Sequence, residues 1–561
     1  MMIGCIALMN AQTCTPFTQT MFYQDFETPT SSTLNETVNS AKSTVNYSNN
    51  TNYAIGKRSR MVNKKNADID YGNANVSYAS NVKVSFSFAP QNIDYISDNI
   101  KFYISTNGGT TWSKELEIYS KNYYTFLFWD FSSPLTYDFS STNIYTSTYD
   151  GNNSPDILYI SDTNKKNKVE ISIPNNVNKT NLRFKFEIEN NDNDDYWFLD
   201  DIKITGDYID TKTWNGTSWT GRTTSTPSNK DIIVINGNYN TKNNGNISAC
   251  ECTINANQTL SVNADTNITI QNNIINNGNI IVENDVNLIQ INDNATFTGN
   301  PITVYRETNL KRLDYNYWSS PVENQNLQSF SPNTLSNRFY TYNESNDYFV
   351  TITPSTNNFV PAKGYAIRSP NNFGTSNSVF KGVFNGKPNN GVKTTEIYKN
   401  GNGNNLVGNP YPSNISFASF YVANSSIIEP KAYIWTNTNP NPPVMQGSSY
   451  SGDNYAIMNI TGAKPAQNQK VSEKPTDAIV VGQGFIVKKR NPGTENITFN
   501  NSMRVTNKGK FSNARIASVE EPKVWLQLLT PAKNFNTILI GYVKGATNDI
   551  DNEYDASLIS K

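Results

Sequence analysis

The sequence predicts an all-β chain built from several modules, and three observations carry that prediction. First, apolar and polar residues alternate at period two. Val82, Val84, Phe86 and Phe88 alternate with Lys83, Ser85 and Ser87, and Leu182, Phe184, Phe186 and Ile188 with Arg183, Lys185 and Glu187. Successive side chains of a strand point to opposite faces, so each run reads as a strand with one face on a core and one in water. Second, turn chemistry separates these runs: Asn107-Gly108-Gly109, Asn215-Gly216, Asn277-Gly278 and Asn385-Gly386, where glycine and asparagine supply the positive φ of tight turns. Third, the chain is rich in Asn, Thr, Ser and Tyr and lacks long Ala/Leu/Glu/Lys tracts. No amphipathic pattern exceeds about three helical turns.

At 561 residues the chain is too long for one core and implies roughly three or four domains. Met1 to Gln12 is a short apolar run ending in a small residue. It reads as a secretory signal peptide (1–12) cleaved near Ala11, with the basic n-region missing as if clipped; the alternative is a buried first strand. Residues 20–207, whose strands begin at Phe22, have strands long enough for a two-sheet sandwich. A linker over 208–227 includes Gly221 to Pro227. Between 228 and 305 short β-runs such as Ile232–Val234, Thr259–Val262 and Ile280–Val282 recur at close spacing, joined by Asn-rich corners. Such brief strands cannot bury a face alone, so they predict a solenoid-like array. A Tyr- and Pro-rich β region follows over 306–514, and 515–561 begins a further β domain. No segment reaches the roughly 20 apolar residues that span a bilayer.

Charged residues are 17% of the chain and the net charge is -1. Nucleic acid and anionic membrane surfaces need a basic stripe, which is missing. There is no histidine, which removes Ser-His-Asp and Cys-His nucleophiles and His-ligated metals. Carboxylate pairs remain. The four cysteines are Cys5 in the leader, Cys14, Cys250 and Cys252. Their spacing makes no zinc site. Cys250 and Cys252 read as two free thiols, the alternative being a sterically awkward disulfide between them.

The first unit opens with Phe22-Tyr23-Gln24-Asp25-Phe26-Glu27-Thr28 and closes with Asp194-Asp195-Tyr196-Trp197-Phe198-Leu199-Asp200-Asp201-Ile202. This pair resembles the N-terminal jelly-roll β-sandwich modules of MAM-like and cleaved-adhesin type in secreted bacterial surface proteins. The resemblance implies that first and last strands lie close together and that a structural Ca²⁺ is held there. Its ligands would be Glu27 and Asp201, with Asp200 and Asp25 next, since Ca²⁺ takes hard oxygen donors. The alternative is that these acids cap turns or pair with Lys and Arg. Ser105-Thr106-Asn107-Gly108-Gly109-Thr110-Thr111-Trp112 is similar to an Asp-box hairpin, which is structural. One copy cannot make a propeller.

A second series comprises Asp314 to Val322 with its Tyr315-Asn316-Tyr317-Trp318, Lys363-Gly364-Tyr365, Phe384 to Gly391, Asn405 to Ser413 with its Asn409-Pro410-Tyr411-Pro412, and Val481-Gly482-Gln483-Gly484-Phe485. It resembles the surface proteins that Bacteroidetes export by the type IX route. That implies secretion and surface display and no defined reaction. In such proteins a sorting domain follows strands like Thr537–Val543 and an acidic stretch like Asp549–Ala556; here the chain ends at Lys561, as if truncated. Read from the residues, Asn-Pro-Tyr-Pro fixes two φ angles and predicts a rigid loop, and Gly482 and Gly484 predict close backbone approach. Tyr315, Tyr317 and Trp318 read as core or as a platform for sugar rings.

These readings combine into a secreted cell-surface protein, not an enzyme, that binds extracellular glycans or host or matrix proteins. The alternatives are a passive stalk, and a carboxylate-based glycoside hydrolase or lyase with the jelly roll as accessory module. A hydrolase needs two acids across a cleft, and no pair stands out in the C-terminal region.

Overall fold

The computed structural model describes residues 14–541 apart from 28–32, 42–43, 51, 53, 56, 64–65, 94–97, 121–143, 161–165, 191, 223–225, 264, 438–453, 467–473, 507–522 and 530–534. The leader with Cys5, the stretch 549–556 and parts of the 208–227 and 515–561 segments therefore lie outside the described residues. The described chain is all-β, with three short α-helices. It divides into a unit over Thr15–Ile209 and a second comprising Met1–Cys14 with Asp210–Lys561.

The first unit contains β1 (Phe17–Gln24), β2 (Asn35–Ala41), β3 (Thr44–Ser48), β4 (Ser59–Asn63), β5 (Ala67–Ala74), β6 (Ser80–Gln91), β7 (Asn99–Ser105), β8 (Ser113–Ser120), β9 (Ile144–Thr148), β10 (Asp156–Ile160), β11 (Asn167–Ile173), β12 (Leu182–Glu189) and β13 (Tyr196–Tyr208). One sheet has the order β3-β4-β13-β6-β11-β9, with β1 also on β13; the other runs β10-β8-β7-β12-β5-β2. The alternation builds the core between them. Leu182, Phe184, Phe186 and Ile188 are fully buried, as are Phe86 and Phe102. Rings from the two sheets meet, Phe86 lying 4.8 Å from both Phe102 and Phe186 between centroids. First and last strands pair antiparallel, Phe17 opposite Tyr208. One detail departs from the simple pattern: Ser85 and Ser87, expected in water, are buried.

The second unit begins with a parallel β-helix. β14 (Thr211–Trp214) and β15 (Trp219–Thr220) start it, so the expected linker contributes strands. β16 (Ile232–Ile235), β17 (Tyr239–Asn240) and β18 (Ile247–Ala249) form one coil. β19 (Glu251–Ile254), β20 (Thr259–Val262) and β21 (Asn267–Ile270) form the next. β22 (Ile274–Asn276), β23 (Asn279–Val282) and β24 (Asn287–Gln290) form the third, and β25 (Phe297–Gly299) and β26 (Ile302–Leu310) open the fourth. Strands of successive coils pair in parallel, giving faces β14-β16-β19-β22-β25, β17-β20-β23-β26 and β18-β21-β24. Like side chains stack inside: Ile247 on Ile268 on Leu288, and Leu260 on Ile280 on Ile302. At the corners asparagines do the same. Asn255 Nδ2 donates to Asn236 Oδ1 (2.9 Å), Asn287 to Asn267 (2.7 Å) and Asn292 to Asn272 (3.0 Å). A carboxamide both donates and accepts, so identical residues one coil apart satisfy each other. Asn277-Gly278 marks one of these corners rather than a hairpin. A Cβ on Gly278 would lie 2.2 Å from the Gln258 carbonyl of the previous coil.

The cysteine expectation is corrected. Cys14 is disulfide-bonded to Cys250, with Cα atoms 5.8 Å apart, and Cys252 alone is a free, buried thiol. Cys250 sits in the bend between β18 and β19, which turns it away from the face that Cys252 shares with the core. The β-helix core continues without a break into the C-terminal sheets, through Trp318, Phe330, Phe384 and Val481.

Candidate functional site

Of the four expected calcium ligands, Asp201 and Glu27 lie near enough to Asp200 for their charges to act on it. Asp200 and Asp201 lie where the β13 register shifts, and Asp201 has φ +50°. The buried Asp200 carboxylate accepts the Ile55 N–H (2.5 Å) and the Asp201 N–H (2.7 Å). Glu27 accepts the N–H groups of Lys57 (2.7 Å) and Arg58 (3.2 Å). Burial pushes the Asp200 carboxyl up to about 7; its two N–H donors oppose this, and the charges of Asp201 and Glu27 add to it. Asp201 pairs with Lys203 at 2.5 Å, while Asp25 accepts the Glu27 N–H in a local turn. Among the described residues no three Asp, Glu or Cys side chains close on a common metal position. Carboxylate oxygens are the donor type that a hard cation takes, and a cation there would offset the burial and like charges that favour the protonated form of Asp200.

The second feature is the outward face of the β10-β8-β7-β12-β5-β2 sheet. Alternation that sends Phe102, Ile104, Phe184 and Phe186 inward must send Lys101, Tyr103, Lys185 and Glu187 outward. The register then writes a row across four strands: Glu117 beside Lys101, Lys101 beside Glu187, and Glu187 beside Asp68. A second row sets Tyr159 beside Tyr119, their rings 6.0 Å apart. Tyr103 donates to Glu187 (2.6 Å) and Tyr119 to Glu117 (2.6 Å). Lys185 donates to Glu187 (2.7 Å) and lies over the rings of Tyr103 (4.4 Å) and Trp112 (5.3 Å). Burial alone would raise both glutamates. The Lys185 and Tyr103 hydrogen bonds hold Glu187 below its usual range, and Lys114 and Tyr119 do the same for Glu117. The Tyr103 and Tyr119 hydroxyls are driven up by burial and by those carboxylates.

The Asp-box hairpin supplies Trp112 to this face. Asn107 takes the role of the usual Asp, its Oδ1 accepting the Thr111 N–H (3.0 Å), while Gly108 and Gly109 adopt φ of +74° and +91°. Half-buried Tyr103, Trp112, Tyr119 and Tyr159 thus share a surface with fixed carboxylates and ammonium groups. Reading the sequence for its core missed Tyr103, Tyr119 and Tyr159, and took Trp112 only as part of the hairpin. The signal was present in the polar register of the same strands, at Lys101-x-Tyr103 and Glu117-x-Tyr119.

Residues 205–561 match a family described as a domain of unknown function, DUF8693. The chain belongs to this family. Among curated proteins, none matches the chain. Solved structures similar to part of it include a carbohydrate-binding module, TmCBM61, in complex with β-1,4-galactotriose (12% identity, TM-score 0.20, 32% of this chain and 92% of that one). Another is TmCBM27, a carbohydrate-binding module studied for mannan recognition (10% identity, TM-score 0.19, 34% and 98%). A third is a study of carbohydrate-binding modules of the β-sandwich superfamily (14%, TM-score 0.19, 33% and 61%).

Within the DUF8693 region the motif series converges on one structural node. Trp318 bridges to Gln483, and Lys363 to Val407. Asn409 Nδ2 donates to the carbonyls of Ser413 (2.8 Å), Ile479 (3.1 Å) and Val480 (3.1 Å), and its Oδ1 accepts the Tyr411 N–H (3.0 Å). Tyr411 donates to the Gly391 carbonyl (2.7 Å). A Cβ on Gly408 would lie 2.3 Å from Ser319 Cβ, and one on Gly484 2.9 Å from Tyr317 Cβ, so glycine is required for strand approach. Tyr315, Tyr317 and Trp318 are all buried, and Tyr317 bonds Tyr455 (2.6 Å between hydroxyls). The aromatic triplet is core, and no sugar platform faces solvent there.

Proposed function

We propose that this is a secreted cell-surface protein of the type IX-exported kind that binds extracellular glycans through the outward sheet face of its sandwich unit. The observation that carries the reading is the co-location of Tyr119, Tyr159, Tyr103 and Trp112 with the fixed Glu117–Lys101–Glu187 row. Aromatic rings stack on the apolar faces of sugars, and pre-positioned charged groups bond their hydroxyls with little ordering cost. The Cys14–Cys250 disulfide supports export, since such bonds persist in oxidising compartments. Host or matrix proteins are the other partners this face would suit. A structural Ca²⁺ shared by Asp200 and Glu27, with Asp201 and Asp25 next, belongs to the same proposal. A sandwich melting temperature unmoved by chelator would remove it.

The reading is one of binding without catalysis. A glycosidase acid has a raised pKa, whereas Glu117 and Glu187 are both held low. One observation favours a different hydrolase reading, with the acids on the sandwich itself rather than on a module that the jelly roll serves. Burial pushes the Asp68 carboxyl up beside Glu187, opposed by Lys185 and helped by Glu187 and Asp70. Hydrolysis of a bound oligosaccharide that disappears in Glu187→Gln would establish it. The direct test of the main reading is binding to a glycan panel, with Tyr119→Ala/Tyr159→Ala as the comparison.

A further inference from the structure

The β-helix carries a groove of its own, on the face β17-β20-β23-β26 extended by the antiparallel strand Ser378–Gly386. Its volume is about 320 Å³, and Thr259, Asn279, Ile281, Asn300, Thr303 and Asn385 line it. The register fixes the arrangement. Ser261, Ile281, Thr303 and Asn385 form one row across four strands, and Thr259 and Asn279 a parallel row beside it. Neighbouring strands lie about 4.8 Å apart, so a ligand laid across them meets a new side chain at each step.

The chemistry of the lining selects the ligand. No lining side chain is ionisable, so nothing there pairs with a phosphate, a uronate or a cation. The polar groups are two hydroxyls and three carboxamides, groups that as a class both donate and accept. Ile281 and Pro301 add apolar surface. The walls are held in place. The Asn385 backbone N–H donates to Gln325 Oε1 (2.8 Å), and its Nδ2 donates to Thr303 Oγ1 (3.2 Å). Asn300 donates to the carbonyls of Asn277 (3.1 Å) and Gly278 (3.0 Å), which commits its amide hydrogens and presents its oxygen as the acceptor. Fixed, uncharged donors and acceptors beside a small apolar surface match vicinal hydroxyls and C–H faces of a sugar ring. The volume, at the lower end of the roughly 300–1,000 Å³ of ligand sites, admits one or two rings.

We infer that this groove is a second saccharide site, specific for a short neutral segment of a glycan laid across the β-helix strands. It rests on the lining of the DUF8693 region and stands whether or not the sandwich face binds sugar. The experiment uses the full chain carrying Tyr119→Ala/Tyr159→Ala, so that the sandwich face is disabled. It is titrated calorimetrically with neutral gluco-, manno-, xylo- and galacto-oligosaccharides of two to four units. The expected result is binding to at least one series with Kd at or below about 1 mM, unchanged by added salt. Asn279→Ala weakens that binding roughly tenfold, and Thr303→Trp, which fills the groove, abolishes it with an unchanged circular dichroism spectrum. If Thr303→Trp fails to fold, Thr259→Trp tests the opposite row in the same way. The inference is overturned if no neutral oligosaccharide binds this chain, if binding weakens with salt, or if it survives in the folded groove-filling variant.

Discussion

The sandwich and the β-helix bury similar aliphatic and aromatic cores, yet they finish their surfaces by opposite means. In the sandwich, where the inner strands β8, β7 and β12 pair antiparallel, opposite charges face each other around Lys101. Lys101 meets Glu117 and Glu187, and Lys101 Nζ bonds Glu189 at 2.9 Å. In the parallel β-helix, successive coils place like on like, and the residue that satisfies a copy of itself is asparagine, as at Asn267–Asn287 and Asn272–Asn292. Stacked like charges would repel. The low charge of the chain is therefore in part a consequence of its parallel β-helix. The comparison also separates roles: the sandwich presents fixed charge and aromatic rings, and the helix presents amides and hydroxyls.

The largest effects break each region at its own weak point. Phe186→Ala should cost the sandwich about 3–5 kcal/mol through the cavity it leaves, and Phe186→Leu much less. Asn409→Ala should cost the DUF8693 region a similar ~3–5 kcal/mol, because three buried carbonyls and one N–H lose their partner. Here the isosteric Asn409→Asp is no milder, since it lacks the donors. Denaturant midpoints of the four variants separate packing loss from hydrogen-bond loss. A mild Asn409→Asp would contradict the node. Next in size is the disulfide. Cys14→Ser should lower stability by about 2–4 kcal/mol, read as a melting shift that reductant reproduces in the parent and leaves unchanged in the variant.

Smaller effects come from the solvent. Glu117 and Glu187 titrate below their usual range in the folded state. Their contribution is thus present above the unfolded carboxyl pKa and is lost as pH falls through the lower folded values. Acid titration should destabilise the sandwich progressively below that usual range, and Glu187→Gln should flatten the profile. Salt should weaken the ion-pair rows slightly and leave the asparagine ladders untouched. Hydrogen exchange resolved by region would measure both, and equal salt sensitivity in the two regions would erase the contrast drawn above.

Much of the fold was legible because it is periodic. Leu182 to Ile188 bury the expected residues, and the short runs from Ile232 onward are the coils of a solenoid. What was not legible depends on contacts distant in sequence. Cys14 and Cys250 are 236 residues apart, so nothing local favours their pairing over Cys250 with Cys252. Asn409 and Gln483 read as loop and bulge; that they meet Trp318 and Val480 is a fact of tertiary packing. Of the candidate sites, Asp200 and Glu27 were visible as acids in flanking motifs. Tyr119 and Tyr159 were hidden because an outward aromatic looks like an inward one until the register of its strand is set.

The claim that the sandwich face reads sugar is tested most directly by one comparison on a glycan array: the parent chain against Tyr119→Ala/Tyr159→Ala, both verified as folded. The account predicts a defined set of glycans bound by the parent through this face. Those signals should fall at least about tenfold in the variant, the loss of roughly 1.4 kcal/mol or more expected when stacked rings are removed. An identical glycan profile for the two proteins, or no glycan bound by the parent, would contradict it.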